Sequence, residues 1–95
     1  MGKDRISDEI AKFYEAVLSL ETMEECSNFF DDVCTVNELR AISQRFEVAG
    51  MLKEGHTYLD IADKTGASTA TIGRVNRTLT GGKGGYDLIL KRVTK

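Results

Sequence analysis

The 95-residue chain has no proline, two cysteines, a single histidine and few aromatic residues, three Tyr and four Phe. Without proline nothing forces a break within a helix, so helix ends must be set by capping side chains and glycines. Cys26, Cys34 and His56 are too few, and too oddly spaced, to make a zinc site. The two cysteines lie eight apart in what reads as one helix, roughly 12 Å of rise, which is too far for a disulfide. Both fall on that helix's apolar stripe and read as small buried hydrophobes. No apolar run approaches the ~18 residues that cross a bilayer. The opening MGKDRISDEI has charges but lacks the apolar centre of a secretory signal, so the expectation is a cytoplasmic protein with no membrane partner.

Strong charge of one sign is also missing: the formal net charge is −2. Its distribution is uneven. Residues 1–34 carry Lys3, Arg5 and Lys12 against nine acids, a balance of −6, whereas residues 35–95 stand at +4. Residues 66–95 hold six basic groups against Asp87 alone, a balance of +5. A polyanion would meet the C-terminal third. At 95 residues the chain is one domain by size, and a domain so short buries a modest core, which favours self-association.

The apolar pattern is helical throughout, without β-type alternation or internal repeats. Ile6, Ile10, Phe13, Tyr14, Val17 and Leu18 share one face of a 3.6-residue helix, with Ser7 as its cap. A Thr-x-x-Glu capping box at Thr22 and Glu25 opens a second helix striped by Met23, Cys26, Phe29, Phe30 and Val33. Thr35 and Glu38 repeat the box before a third, carrying Leu39, Ile42, Phe46, Ala49 and Leu52 up to a stop at Gly55. GGKGG at 81–85 reads as a flexible linker before a last short helix from Tyr86 to about Val93. Residues 1–55 are thus assigned to dimerisation, 57–80 to a head, and 81–95 to linker and C-terminal helix.

The head is the informative segment. Thr57 caps a short helix with Asp60 three residues on, Gly66 ends it, and Ser68 caps a second helix that sends Ile72, Val75 and Leu79 toward a core. The spacing Ala62, Gly66, Ile72 suits a helix-turn-helix: a small residue where the helices touch, a glycine able to take φ > 0 at the turn, and a branched residue filling the angle. At 100° per residue, Ala70, Gly73, Arg74 and Arg77 cluster about 100–200° away from Ile72. Small residues there let a helix sit deep in a major groove. Ser68, Thr69 and Thr71 supply hydroxyls at its N-terminus, and the arginines reach phosphates or guanine edges. Lys64 adds a cation beside the turn. Gly73 costs an isolated helix about 1 kcal/mol relative to Ala, which points to a close approach. The candidate DNA-binding set is therefore Lys64, Ser68, Thr69, Ala70, Thr71, Gly73, Arg74 and Arg77.

The segment from Thr35 to Leu79, and above all GASTATIGRVNR, resembles the Trp repressor superfamily, most closely its YerC/YecD branch, of which NRTLTGGKGGY is also typical. The resemblance implies an all-α, intertwined homodimer of about six helices per chain, with interlocked N-terminal helices and two projecting reading heads. It also implies an effector pocket. In the Trp repressor two arginines sandwich the co-repressor's indole, a threonine and a serine help to hold it, and a glycine follows the second arginine. Arg45 and Arg74 match the arginines, Thr35 the threonine, and Thr78 replaces the serine. Val75 stands in place of the glycine, and its branched side chain fills the pocket, so tryptophan is not the expected effector; no cofactor is expected, and whether another small effector exists stays open. Arg45 also reads as a surface residue paired with Glu47 or an N-terminal acid, and Arg74 as a phosphate contact.

Other chemistry has little support. GGKGG lacks the Ser or Thr that follows Lys in a Walker loop. Asp31 and Asp32 read as a solvated helix end rather than a metal pair, and His56, beside Gly55, as a surface residue with no nucleophile to serve. The expectation is a sequence-specific, double-stranded-DNA-binding transcription regulator, a repressor, and not an enzyme. The alternative is a protein-interaction module that retains the helix-turn-helix fold.

Overall fold

The computed structural model describes residues 7–94; Ile6, placed above on the first apolar stripe, lies outside them. Six helices and no strands make up the described residues: α1 (Asp8–Leu18), α2 (Met23–Val33), α3 (Val36–Lys53), α4 (Tyr58–Thr65), α5 (Thr69–Gly81) and α6 (Gly85–Val93). No helix among them is long and apolar enough to cross a membrane. The chain divides into two compact units, the first ending at Thr35 and the second beginning at Val36.

In the first unit the sequence writes its own helix ends. Ser7 Oγ accepts from the Ile10 amide at 3.2 Å and Thr22 Oγ1 from the Glu25 amide at 3.0 Å. Each satisfies one of the four N–H groups a helix start leaves without an internal partner. Glu25 reaches back 2.9 Å to the amide of Glu21, one residue earlier than a standard capping box requires. Phe13 stacks on Phe29 with ring centroids 5.9 Å apart, and Phe30 meets both edge-on. Aromatic pairs of this geometry hold the two helices together. No residue of α1 or α2 is fully buried, and Leu18 and Met23 remain over 80% exposed. Cys34 falls just beyond α2, as its extended C-cap, so the two cysteines do not share a helix; both are half-buried free thiols. The chain leaves helical geometry after Val33 because Cys34 adopts ψ 150.

The second unit surrounds a small core of Val48, Ala49, Ile61, Ala67, Ile72 and Val75, against which Met51, Leu52, Ala62, Leu79, Tyr86 and Leu90 pack half-buried. Helix α3 lies against α4, α5 and α6. It ends in a Schellman motif, with the amide of Gly55 on the Leu52 carbonyl and that of His56 on the Met51 carbonyl, each at 3.1 Å. The apolar residues of α3 divide between two sides of the helix. Ile42 and Phe46 are 47% and 37% exposed in the single chain, while Val48, off the assigned stripe, is fully buried. The GGKGG segment is likewise tighter than its composition suggests. Gly81 closes α5, Gly85 opens α6, and only Gly82, Lys83 and Gly84 connect them. A Cβ on Gly82 would lie 2.6 Å from the Thr78 carbonyl oxygen, so the close turn itself demands glycine there.

Candidate nucleic-acid interface

Helices α4 and α5 form the helix-turn-helix. Thr57 Oγ1 accepts from the Asp60 amide at 3.1 Å to start α4, and Gly66 ends it in the left-handed region at φ 78. That conformation costs an L-residue with a Cβ about 1–2 kcal/mol, which is why glycine stands there. Ser68 Oγ then accepts from the Thr71 amide at 3.1 Å to open α5. Between the caps, Thr65 acts as a staple: its hydroxyl donates to the Ile61 carbonyl at 2.7 Å and accepts from the Ala67 amide at 3.1 Å. Gln44 of α3 donates from Nε2 to the Thr65 carbonyl at 3.1 Å. Ala67 is thereby held in the core, a placement its small size permits but no sequence pattern announced.

The outward surface of this unit carries the sequence-assigned DNA residues. Ser68, Thr69, Ala70, Arg74 and Arg77 are exposed, Thr71 and Gly73 are half-exposed, and Lys64 is exposed in the last turn of α4. Ile72 and Val75 are buried on the opposite side. The hydroxyls at the helix start are not equivalent, because Ser68 Oγ also donates to Thr71 Oγ1 at 3.1 Å. Thr69 takes no part in that pair.

The two arginines, neighbours on the helical wheel, serve different surroundings. Arg74 joins Arg45 of α3, Val75, Thr78 and Tyr86 of α6 around a cavity of about 360 Å³. Arg45, Arg74 and Thr78 are thus brought together; Thr35, the fourth residue of the assigned pocket, belongs to the first unit. Thr78 Oγ1 donates to the Arg74 carbonyl at 3.2 Å. Val75 forms one wall without filling the space, since its side chain is turned almost wholly into the core and is 2% exposed. Tyr86, coming from beyond the glycine run, had no sequence signal that tied it to this cavity. Arg77 lies elsewhere: a Cβ on Gly73 would stand 3.7 Å from its Nη1, so the guanidinium sits beside that bare backbone.

His56 is more engaged than its place at an inter-helix corner suggested. Its Nδ1 lies 2.7 Å from Asp60 Oδ2 and its Nε2 3.3 Å from Glu54 Oε1, linking the end of α3 to the first turn of α4. The hydrogen bond from His56 holds the Asp60 carboxyl below its ordinary value of 3.8, and the positive charge of Lys64 adds to the effect. The His-x-x-x-Asp spacing at i, i+4 was the available signal. Among the described residues no group of three His, Cys, Asp or Glu side chains is placed to hold a metal ion.

The likeness to known proteins covers nearly the whole chain. The pattern of the Trp repressor protein family matches residues 8–94. The chain is 52% identical over 85 residues to YerC of Bacillus subtilis strain 168, an uncharacterized protein, spanning 90% of this chain and 82% of that one. A TrpR-like protein from Eubacterium eligens superposes with a TM-score of 0.89 at 55% identity, over 92% of this chain and 90% of its own. A candidate Trp repressor from Staphylococcus aureus superposes with a TM-score of 0.91 at 47% identity, over 97% and 93%. With six helices, a helix-turn-helix at α4–α5 and this similarity along residues 8–94, the chain belongs to the Trp repressor family.

Proposed function

We propose that the protein is a homodimeric, sequence-specific DNA-binding transcription regulator, a repressor acting in the cytoplasm, that reads the major groove with α5. The observation that carries this reading is the outer surface of α5: Thr69, Ala70 and Arg77 exposed beside Gly73, on a helix held from behind by Ile72 and Val75. Small side chains let the helix backbone approach base edges in a groove about 12 Å wide. Lys64, Ser68, Thr71 and Arg74 complete the contact set, and the helix N-terminus adds amide donors suited to phosphate. Dimerisation is supported by the exposed apolar residues Leu18, Met23, Val33, Ile42 and Val93, which a single chain leaves in water. Two heads on one dimer would address half-sites about 34 Å apart, one turn of DNA, or a multiple of that spacing.

Selection of bound sequences from a random duplex pool, followed by a salt titration of the enriched site, tests the proposal. Enrichment of a two-fold symmetric site, with affinity falling linearly in log salt, is the expected result. A pool left without any enriched sequence would mean that the fold serves protein contacts instead.

A further inference from the structure

We infer that Arg77, laid along the bare backbone of Gly73, is a specificity-determining residue that reads a guanine, whereas Arg74 is not; the inference rests on the DNA-binding reading above. Gly73 and Arg77 are i, i+4 neighbours, and long helical side chains lean back toward the helix N-terminus. Arg77 therefore returns along α5 toward Ala70 and Thr69, the end that the Ser68 cap presents. Nη1 lies 3.7 Å from where a Gly73 Cβ would be, an ordinary contact distance, so the guanidinium lies one turn back along the helix surface, beside Gly73. Among the described residues no carboxylate pairs with Arg77, so its five donors remain available. Arg74 is differently placed, facing the cavity it shares with Arg45 and Tyr86. The outward order is then small residue, bare backbone, planar fork: Ala70 and Gly73 set the depth, and Arg77 is the first long side chain at that depth. Such a pre-placed fork suits the O6 and N7 pair of guanine in the major groove, and arginine loses little conformational freedom in making that bidentate contact.

The test compares wild type with Arg77→Lys and Arg77→Ala on the site selected by the wild type and on all single-base variants of it. Arg77→Lys keeps the charge and loses the fork. The expected result is one G·C pair per half-site whose replacement weakens the wild type by roughly 10- to 100-fold. That preference should vanish in both variants, while the log–log salt slope of Arg77→Lys stays at the wild-type value. Arg77→Ala weakening every sequence alike, with all base preferences kept and the slope smaller by about one unit, would make Arg77 a phosphate contact and overturn the inference. Arg77→Lys retaining every base preference would overturn it too, leaving the DNA-binding reading intact. A wild-type protein that selects no sequence would instead defeat the reading beneath it. Far-ultraviolet circular dichroism of both variants checks that an exposed position has left the fold unchanged.

Discussion

Gln44 on α3 donates a hydrogen bond of 3.1 Å to the carbonyl of Thr65, the last residue of α4, across 21 positions of sequence. The carbonyls of a helix's last turn have no partner within the helix, and one that is partly buried loses water without compensation unless a side chain supplies a donor. Thr65 in turn holds Ile61 and Ala67 with its hydroxyl. The turn that orients α5 is therefore referenced to α3 through one amide group. Gln44→Met keeps the side-chain volume and removes the donor, and should cost about 1–2 kcal/mol of unfolding free energy. Denaturant melts of the two proteins would show it; coincident curves would mean that water replaces the amide.

Gly66 ends α4 at φ 78 with nothing within 4 Å of where a Cβ would stand. Any penalty for substitution there comes from backbone conformation alone. Gly66→Ala should lower stability by about 1–2 kcal/mol, and Gly66→Asn by less, because asparagine visits the left-handed region more readily. Equal losses in the two variants would point to a steric cause that the open surroundings do not contain.

The caps and the turn were legible in the sequence because each is a local rule: Ser7, Thr22, Thr57 and Ser68 all accept the amide bond their spacing implied. The α3 core was less legible, since that helix has two apolar groups, Val48, Ala49 and Leu52 on one side and Leu39, Ile42 and Phe46 centred about 100° away. A single stripe through the sequence takes in the second group together with Ala49 and Leu52, and only packing against α4 and α5 reveals that Val48 is buried. The same limit applies at the site. The wheel places Arg74 and Arg77 together, yet α3 and α6 build a cavity against one of them only. Long-range partners such as Gln44 and Tyr86 leave no periodic trace.

The link between His56 and Asp60 makes the corner before α4 sensitive to acid. A carboxylate whose folded value is held below its ordinary 3.8 stabilises the fold above that pH, and the contribution is lost as pH falls through the lowered folded value. Asp60→Asn should therefore be less stable than wild type near pH 6, and the two should converge in acid once the pH has fallen below the lowered folded value of Asp60. Thermal melts at a series of pH values read the difference directly. A gap of constant size across the acid range would mean that the carboxylate charge contributes nothing.

If α5 reads DNA as proposed, Gly73 sets fold stability and DNA binding in opposition. It sits inside α5, where glycine is about 1 kcal/mol worse than alanine, and an added Cβ would meet Arg77 Nη1 at an ordinary 3.7 Å. Gly73→Ala should thus be more stable than wild type by up to about 1 kcal/mol. Gly73→Leu should still fold but lose specific DNA binding, because its bulk holds the helix away from base edges. Unchanged operator affinity in the leucine variant would place the reading surface on another part of α5.

The cavity bounded by Arg45, Arg74, Thr78 and Tyr86 raises the question of a co-repressor. Val75 stands at its wall, where the Trp repressor has glycine; it leaves the cavity open, but its branched side chain replaces the bare backbone on which a flat ring could lie. Because Val75 is 2% exposed and part of the core, it cannot swing aside without opening a void among Val48, Ile61 and Ile72. The wild-type protein should therefore bind its selected DNA site without added tryptophan, and titration calorimetry with tryptophan should give no heat beyond dilution. Arg45→Ala should leave both results unchanged. A micromolar tryptophan site on the wild-type protein that disappears in Arg45→Ala would reverse this expectation, because both guanidiniums would then be gripping a ligand ring and coupling it to α5.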